Sequence, residues 1–341
     1  MKHRWLIFVL ILCLVMMPVK AALKKEIIRV GYFPNITHAQ AVIGVADGTF
    51  QKFLGKNIEI KKFVFNAGPS VIEAMLARQL DLAYIGPNPA INGYLKTNGS
   101  LLKIVAGAAS GGAALVVRSD LGIKDKKQLM GLKIASPQIG NTQDVALRYY
   151  LKNNGFRLRE QGGNIEVIPI SNPDQLNLFL KKEIGGAWTV EPWVSRLINE
   201  AGGEVFLDER NIWPNGMFVT AHIIVNQNYL TKYPKIIKKW LQAHVQLTRN
   251  INANKSQAIS SLNQELKKIT GSSLPDKIIN QAFERINLTY DPLPKSLYVS
   301  AERAYALGFL GKTKPNLSRI YDLHLLNEVL KEFKLPKVNM E

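Results

Sequence analysis

The 341-residue sequence is poor in the groups from which most reactive centres are built. Cys13 is the only cysteine, so no intramolecular disulfide can form and no cysteine-based zinc or iron–sulfur site can be assembled. The five histidines are His3, His38, His222, His244 and His324, and none falls in an HExxH or HxH metal pattern. A GxSxG nucleophile elbow, a Walker loop and a GxGxxG fingerprint are all missing. The chain therefore reads as a non-enzyme, with no catalytic residue, metal or cofactor expected. Acidic residues are also few, 26 against 44 Lys+Arg, which leaves a formal net charge of +18. With 47% hydrophobic and 21% charged residues, disorder and disulfide-scaffold classes are excluded, and the length allows one large domain or two of ordinary size.

The longest apolar run is residues 5–17, thirteen positions, preceded by Lys2-His3-Arg4 and followed by Pro18-Val19-Lys20-Ala21. Basic, apolar and small-residue regions in this order are those of a secretory signal peptide. A bilayer needs about 20 apolar residues to be crossed, so an uncleaved anchor is the weaker alternative. Leu12 before Cys13 is not the small residue that lipid modification of a cysteine requires. Loss of 1–21 would remove Lys2, Arg4 and Lys20 and leave a mature, exported chain of +15 without cysteine. The remaining lysines are scattered, as in Lys61-Lys62 and Lys238-Lys239, and form no basic helix interleaved with aromatics. Together with export, this argues against nucleic acid as a partner.

From residue 27 short apolar runs alternate with helix-period stretches. The pattern predicts strands at 27–33, 58–65, 81–86, 101–109 and 113–120, with helices over 38–54, 69–79 and 88–97. The rhythm restarts with strands at 132–137, 165–170 and 185–190 and helices over 141–153, 173–182 and 191–201. After a long strand at 217–227 the remainder to residue 341 reads as mostly helical, with amphipathic stretches near 229–252, 255–269 and 274–286. Such alternation implies parallel sheet with crossover helices. Two sets predict an α/β protein of two lobes, 22–112 with 222–341 and 113–221, crossed by the strands at 113–120 and 217–227.

In open α/β sheets ligands bind where strands run into helix N-termini. After the first strand, Asn35 and Thr37 can cap a helix or face a cleft. Ser70 follows Gly68-Pro69, and Asn88 lies in Gly86-Pro87-Asn88-Pro89, both at helix starts. Gly140-Asn141-Thr142 precedes a helix and presents neutral donors at the positive end of its dipole, a setting suited to an anion. Ser110-Gly111 sits in a small-residue loop at the proposed crossing, readable as a hinge, a ligand contact or a plain turn. Trp188 and Glu191 pair a flat apolar surface with a carboxylate, for ligand contact or for core packing and helix capping.

Four stretches carry a family likeness: YFPNITHAQAVIG (32–44), GPS (68–70) with EAMLARQLDLAYIGPNPAI (73–91), KIASPQIGNTQDVALRYYL (133–151) and GAWTVEPWVSRLINEAGGEVFLDERNIWPNGMFVTAHIIV (186–225). Together they resemble the periplasmic substrate-binding proteins of nitrate/sulfonate/taurine-type ABC importers, a family that includes binding proteins for thiamine pyrimidine precursors. The resemblance implies a two-lobed periplasmic binding protein fold, type II-like, that closes on a small-molecule ligand. It implies delivery to an inner-membrane permease driven by an ATPase, and a monomer in the periplasm. It also implies that Thr142 and Ser110 donate to an oxyanion and that Trp188 covers the apolar part. With no Arg or Lys in these loops, and with Glu191 suited to an ammonium, an aliphatic sulfonate, a zwitterion such as taurine and a neutral pyrimidine all remain open. A ligand sensor serving a receptor kinase is the other role compatible with the fold. The related pyrimidine-synthase enzymes need a cysteine-rich iron-binding motif that a chain with Cys13 alone lacks.

Overall fold

The computed structural model describes residues 25–340, so the leader expected over 1–21 lies outside the described residues. The chain opens with β1 (Glu26–Tyr32), α1 (Ala39–Ala46), α2 (Thr49–Leu54), β2 (Ile58–Val64), α3 (Gly68–Leu76), β3 (Leu82–Ile85), α4 (Pro87–Lys96) and β4 (Leu102–Gly111). There follow β5 (Ala113–Arg118), β6 (Lys133–Ser136), α5 (Thr142–Asn153), β7 (Glu166–Pro169), α6 (Asn172–Leu180), β8 (Gly186–Val190), α7 (Trp193–Ala201) and β9 (Gly203–Asp208). The last part comprises β10 (Val219–Asn226), α8 (Gln227–Lys232), α9 (Pro234–Ala253), α10 (Lys255–Thr270), α11 (Asp276–Arg285), β11 (Ile286–Leu288), α12 (Pro294–Ala306) and α13 (His324–Glu332).

The strands form two sheets, ordered β11-β4-β10-β3-β1-β2 and β7-β6-β8-β5-β9. The βαβ units are parallel as expected: β1 pairs with β2 and β3, and β6 with β7 and β8. The sheets are nevertheless mixed. In the first, β10 runs antiparallel between β3 and β4; in the second, β5 runs antiparallel between β8 and β9. These are the strands reached without an intervening crossover helix, which frees them from the parallel rule.

The 113–120 and 217–227 strands do not span the two sheets. β5 belongs to the second and β10 to the first. The crossing falls at Gly111 and Gly112, both at φ +75°, a conformation only glycine adopts freely, and the chain returns between Asp208 and Val219. Ser110 and Gly111, read above as a loop, are the end of β4, where Ser110 pairs with Asn287 and Val219. The expected 38–54 helix is two helices, broken at Gly48 with φ +78°. β9 and β11 were not foreseen, β11 being three residues long, and α12 and α13 fall in the C-terminal part read as mostly helical without bounds.

Each sheet is covered on both faces. Ile28, Val30, Trp240 and Leu241 belong to the core on one face of the first sheet, and Met75, Ile85, Ile91 and Leu297 to the core on the other. In the second sheet Leu147 and Trp188 lie on one face and Phe179 and Leu197 on the opposite one. Phe50 of α2 stacks on Trp240 of α9 with centroids 3.7 Å apart. Among the described residues no helix is long and apolar enough to cross a membrane.

β4 is buried almost throughout, and its run of small residues lets other segments approach its backbone. Gly107 N donates to Tyr290 O at 2.9 Å, and His244 Nε2 donates to Gly107 O at 2.9 Å. A Cβ at Gly107 would lie 2.0 Å from Asp291 O, a backbone atom that cannot swing aside. Gly107→Ala is therefore expected to destabilise the fold by about 1–3 kcal/mol, the usual cost of overpacking. Urea denaturation checks this, and an unchanged midpoint would contradict the packing described.

Candidate functional site

Four helical N-termini meet where the two sheets face each other. On the first sheet's side, β1 runs through Phe33–Asn35 into a 3-10 turn (Ile36–His38) and α1, and β3 runs through Gly86 into α4. On the second, β6 leads through Pro137–Asn141 into α5, and β7 leads into α6 at Asn172. Their ends line a cavity of about 20 Å³ bounded by Asn35, Thr37, His38, Asn66, Asn141, Thr142, Gln143, Asn172 and Thr220, with Phe33, Gly86, Pro137 and Val190. No Asp, Glu, Lys or Arg is among these residues. What favours an anion here is the partial positive charge at the helix ends, since Pro87, Pro89 and Pro173 have no N–H and Thr142 N is taken by Asn141 Oδ1.

The second-sheet wall is locked by Asp144 in the first turn of α5. Its carboxylate accepts from Ser136 Oγ at 2.7 Å, Gly140 N at 2.9 Å and Arg148 Nε at 3.0 Å. The loop between Ser136 and Thr142 is thus tied to the helix it precedes. Gly140, at φ +71°, makes the turn, and Asn141 Oδ1 accepts from Thr142 N at 2.9 Å. The Thr142 hydroxyl is left buried with no hydrogen-bond partner. It faces Gly86 across the gap so closely that a Cβ at that glycine would come within 2.4 Å of Thr142 Oγ1.

His38 is fully buried, stacked on Phe33 at 4.4 Å, and its Nδ1 accepts from Phe33 N at 3.1 Å. Burial pushes its pKa down to about 3, so the ring is neutral with its proton on Nε2. Next to the cavity lies a larger chamber of about 250 Å³, lined mainly by aromatic, proline and leucine side chains from both sides. The two spaces share Phe33, Asn35, Asn66 and Asn172.

Of the residues singled out in the sequence, Asn35, Thr37, Asn141 and Thr142 line the cavity. Asn35 caps nothing; its Oδ1 accepts from Trp193 Nε1 at 3.3 Å, joining the two sides. Ser70 stands further out, its hydroxyl 3.5 Å from Gln138 Oε1, and Gly140 shapes the loop without lining the cavity. The others are placed elsewhere. Asn88 is buried on α4, its Nδ2 donating to Ser300 O at 3.3 Å. Ser110 and Gly111 are sheet residues paired with β11. Trp188 is fully enclosed in the core of the second sheet, its Nε1 donating to Glu209 Oε2 at 2.8 Å, so it covers no ligand.

Glu191 is engaged as well. Its carboxylate accepts from Ser195 N at 3.1 Å, Ser195 Oγ at 3.0 Å and Arg285 Nη1 at 3.2 Å, and it lies outside the cavity. Desolvation outweighs these bonds and raises its pKa to about 7. Glu191 follows β8 and Arg285 ends α11, so this pair joins the two sides instead of orienting a solute.

Among the polar residues of the cavity, sequence reasoning did not select His38, Asn66, Gln143, Asn172 and Thr220. Asn172 follows Ser171 at a helix start, the signal used elsewhere. Thr220 lies inside a strand and carries no such signal; only its bond to Gly111 O, at 2.5 Å, shows why it sits here. Among the described residues no group of three or more His, Cys, Asp or Glu could hold a metal ion.

Two helix-flanked mixed sheets with a polar cavity between them constitute the fold of periplasmic binding proteins. Residues 21–263 match the NMT1-like family, and the chain belongs to that family. It is 26% identical over 258 residues, 75% of this chain and 76% of the other, to a Brucella abortus (strain 2308) protein provisionally named as a binding protein. The alkanesulfonate-binding protein SsuA of Xanthomonas axonopodis pv. citri, bound to MOPS, superposes with a TM-score of 0.70 at 19% identity, covering 85% of this chain and 96% of that one. The periplasmic nitrate-binding protein NrtA of Synechocystis PCC 6803 gives 0.74 at 15% identity, covering 92% and 90%.

The buried neutral His38 has a consequence for pH. Its folded pKa, about 3, lies below the ordinary value of 6.5, so between these limits the unfolded chain takes up a proton that the native one does not. Its stabilising contribution is intact above pH 6.5 and is lost as the pH falls towards 3. His38→Gln is expected to reduce the slope of stability against pH in that window by up to about 1.4 kcal/mol per pH unit. Urea titrations of both proteins at pH 5 and 7 measure it; parallel pH profiles would refute it.

Proposed function

We propose that this chain is the solute-binding component of an ABC importer. It captures a small oxyanion-bearing solute, such as an aliphatic sulfonate or taurine, and hands it to a membrane permease driven by an ATPase. In this reading the protein is a periplasmic monomer exported by a cleavable leader. Its lobes are 22–112 with 222–341, and 113–221, except that Val219–Ala221 pair with the first sheet and go with the first lobe. Closure of the lobes, not catalysis, is the mechanism. A solute touching both sides lowers the free energy of the closed arrangement relative to an open one, and one touching a single side shifts nothing.

The observation that carries this reading is the buried, unpartnered Thr142 hydroxyl among four converging helix N-termini. A buried hydroxyl without a partner is costly, and an oxyanion placed there would relieve that cost while meeting the positive ends of the helix dipoles. Family membership and the binding-protein fold support the same role. The uncharged lining supports an anion that is released readily over one clamped by ion pairs.

The test is a thermal-shift and calorimetry series on the mature chain with methanesulfonate, taurine, nitrate and an aminopyrimidine. A ligand at 100 times its Kd adds about 2.7 kcal/mol of stability. Sulfonates should shift the unfolding transition upward, and Thr142→Val should weaken their binding about tenfold to a hundredfold, the worth of a hydrogen bond to a charged group. The unliganded Thr142→Val protein should be as stable as the parent or more so, because the hydroxyl removed has no partner. Undiminished sulfonate affinity in Thr142→Val would overturn the site, and a shift with the pyrimidine alone would overturn the ligand class.

A further inference from the structure

We infer that the solute is amphiphilic, with an anionic head in the polar cavity and a ring-sized apolar tail, as in an arenesulfonate, in the adjoining chamber. This rests on the importer reading above and specifies the substrate class of that same site. The cavity of about 20 Å³ exceeds by little what a single water requires, so it can seat an oxygen of the head group and not a whole solute. The adjoining space of about 250 Å³ shares Asn35, Asn66 and Asn172 with it, so a substituent on the head group passes directly from one into the other.

The walls select the tail. Phe33 and Phe65 follow β1 and β2, Leu266 and Leu274 come from α10 and the loop after it, and Pro192 and Trp193 face them from the start of α7. Flat aromatic and proline faces suit a ring, and a ring loses little conformational freedom on being enclosed, whereas a flexible chain loses a rotamer at each bond. An apolar cavity of about 150 Å³ is sufficient for benzene, so the chamber is ample. Arg196 does not turn this space into a second anion site. Its guanidinium stacks over Trp193 at 4.7 Å, and its Nε and Nη2 donate to Glu200 at 2.9–3.1 Å.

The tail would touch both sides of the gap, so it would add to closure and not merely to affinity for one side. The leucine wall also lies beyond residue 263, where the match to the family ends, so this part of the specificity belongs to the chain's own C-terminal region.

The experiment compares benzenesulfonate with methanesulfonate by calorimetry on the full mature chain, which holds the head group constant and varies the tail. Benzenesulfonate should bind at least tenfold more tightly. That preference should fall below threefold in Leu274→Asp, which places a charge in the leucine wall, and in Trp193→Ala, which removes the opposite wall. Equal affinities for the two sulfonates would overturn the tail inference while leaving the importer reading standing. A preference that survives both substitutions would overturn the assignment to this chamber. Binding of neither sulfonate would overturn the sulfonate class assigned to the site and this inference with it.

Discussion

Two consecutive glycines in the left-handed conformation set the geometry on which the site depends. At Gly111 and Gly112 a nearly continuous extended run leaves one sheet and enters the other. The peptide groups at this bend are also anchors. Gly111 O accepts from Thr220 Oγ1, Gly111 N donates to Phe218 O at 3.3 Å, and Gly112 O accepts from Glu191 N at 2.8 Å. The bend therefore fixes a cavity residue, the returning crossing and the end of β8 in one stroke. A side chain at position 111 would suffer the positive φ and also meet Arg285 O at 2.8 Å.

The electrostatics divide by scale. The protein as a whole is strongly basic, and that charge can draw anions towards its surface. Within the cavity the lining is neutral, and the attraction comes from backbone dipoles whose orientation is fixed by helix geometry. Charged pairs stand just behind it. Asp144 with Arg148 stiffens one wall, and Glu191 with Arg285 spans the gap. Each works by holding backbone in place, and neither reaches the residues that line the cavity.

The alternation of strands and helices was legible because apolar periodicity and Gly/Pro punctuation report it directly, and both α/β sets fall where the pattern puts them. Residues at helix starts were legible for the same reason, hence Asn35, Thr37, Asn141 and Thr142. What the pattern does not report is the face of a strand on which a side chain emerges or the partner that consumes it. Trp188 looked like a ligand wall because it is large and flat, but it projects into the core, where Glu209 takes its N–H. Glu191 looked like a free carboxylate, and its partner is 94 residues away along the chain. The antiparallel placement of β5 and β10 and the chamber wall at Leu266 and Leu274 depend in the same way on contacts distant in sequence.

The two crossings between the sheets, at Gly111–Gly112 and at 209–218, lie side by side and are tied to each other by hydrogen bonds. A joint built from a single strand would allow torsion in any direction. One built from an extended segment laced to an adjacent pair of 3-10 turns behaves like a hinge with two knuckles: rotation about the line through them stays soft, while twist and shear are resisted. Any swing of one sheet relative to the other is thereby restricted to a single arc. Under the closure proposed above, a solute would meet the same pair of walls in the same registry each time, and that repeatability would be a property of the strap and not of the residues that touch the solute.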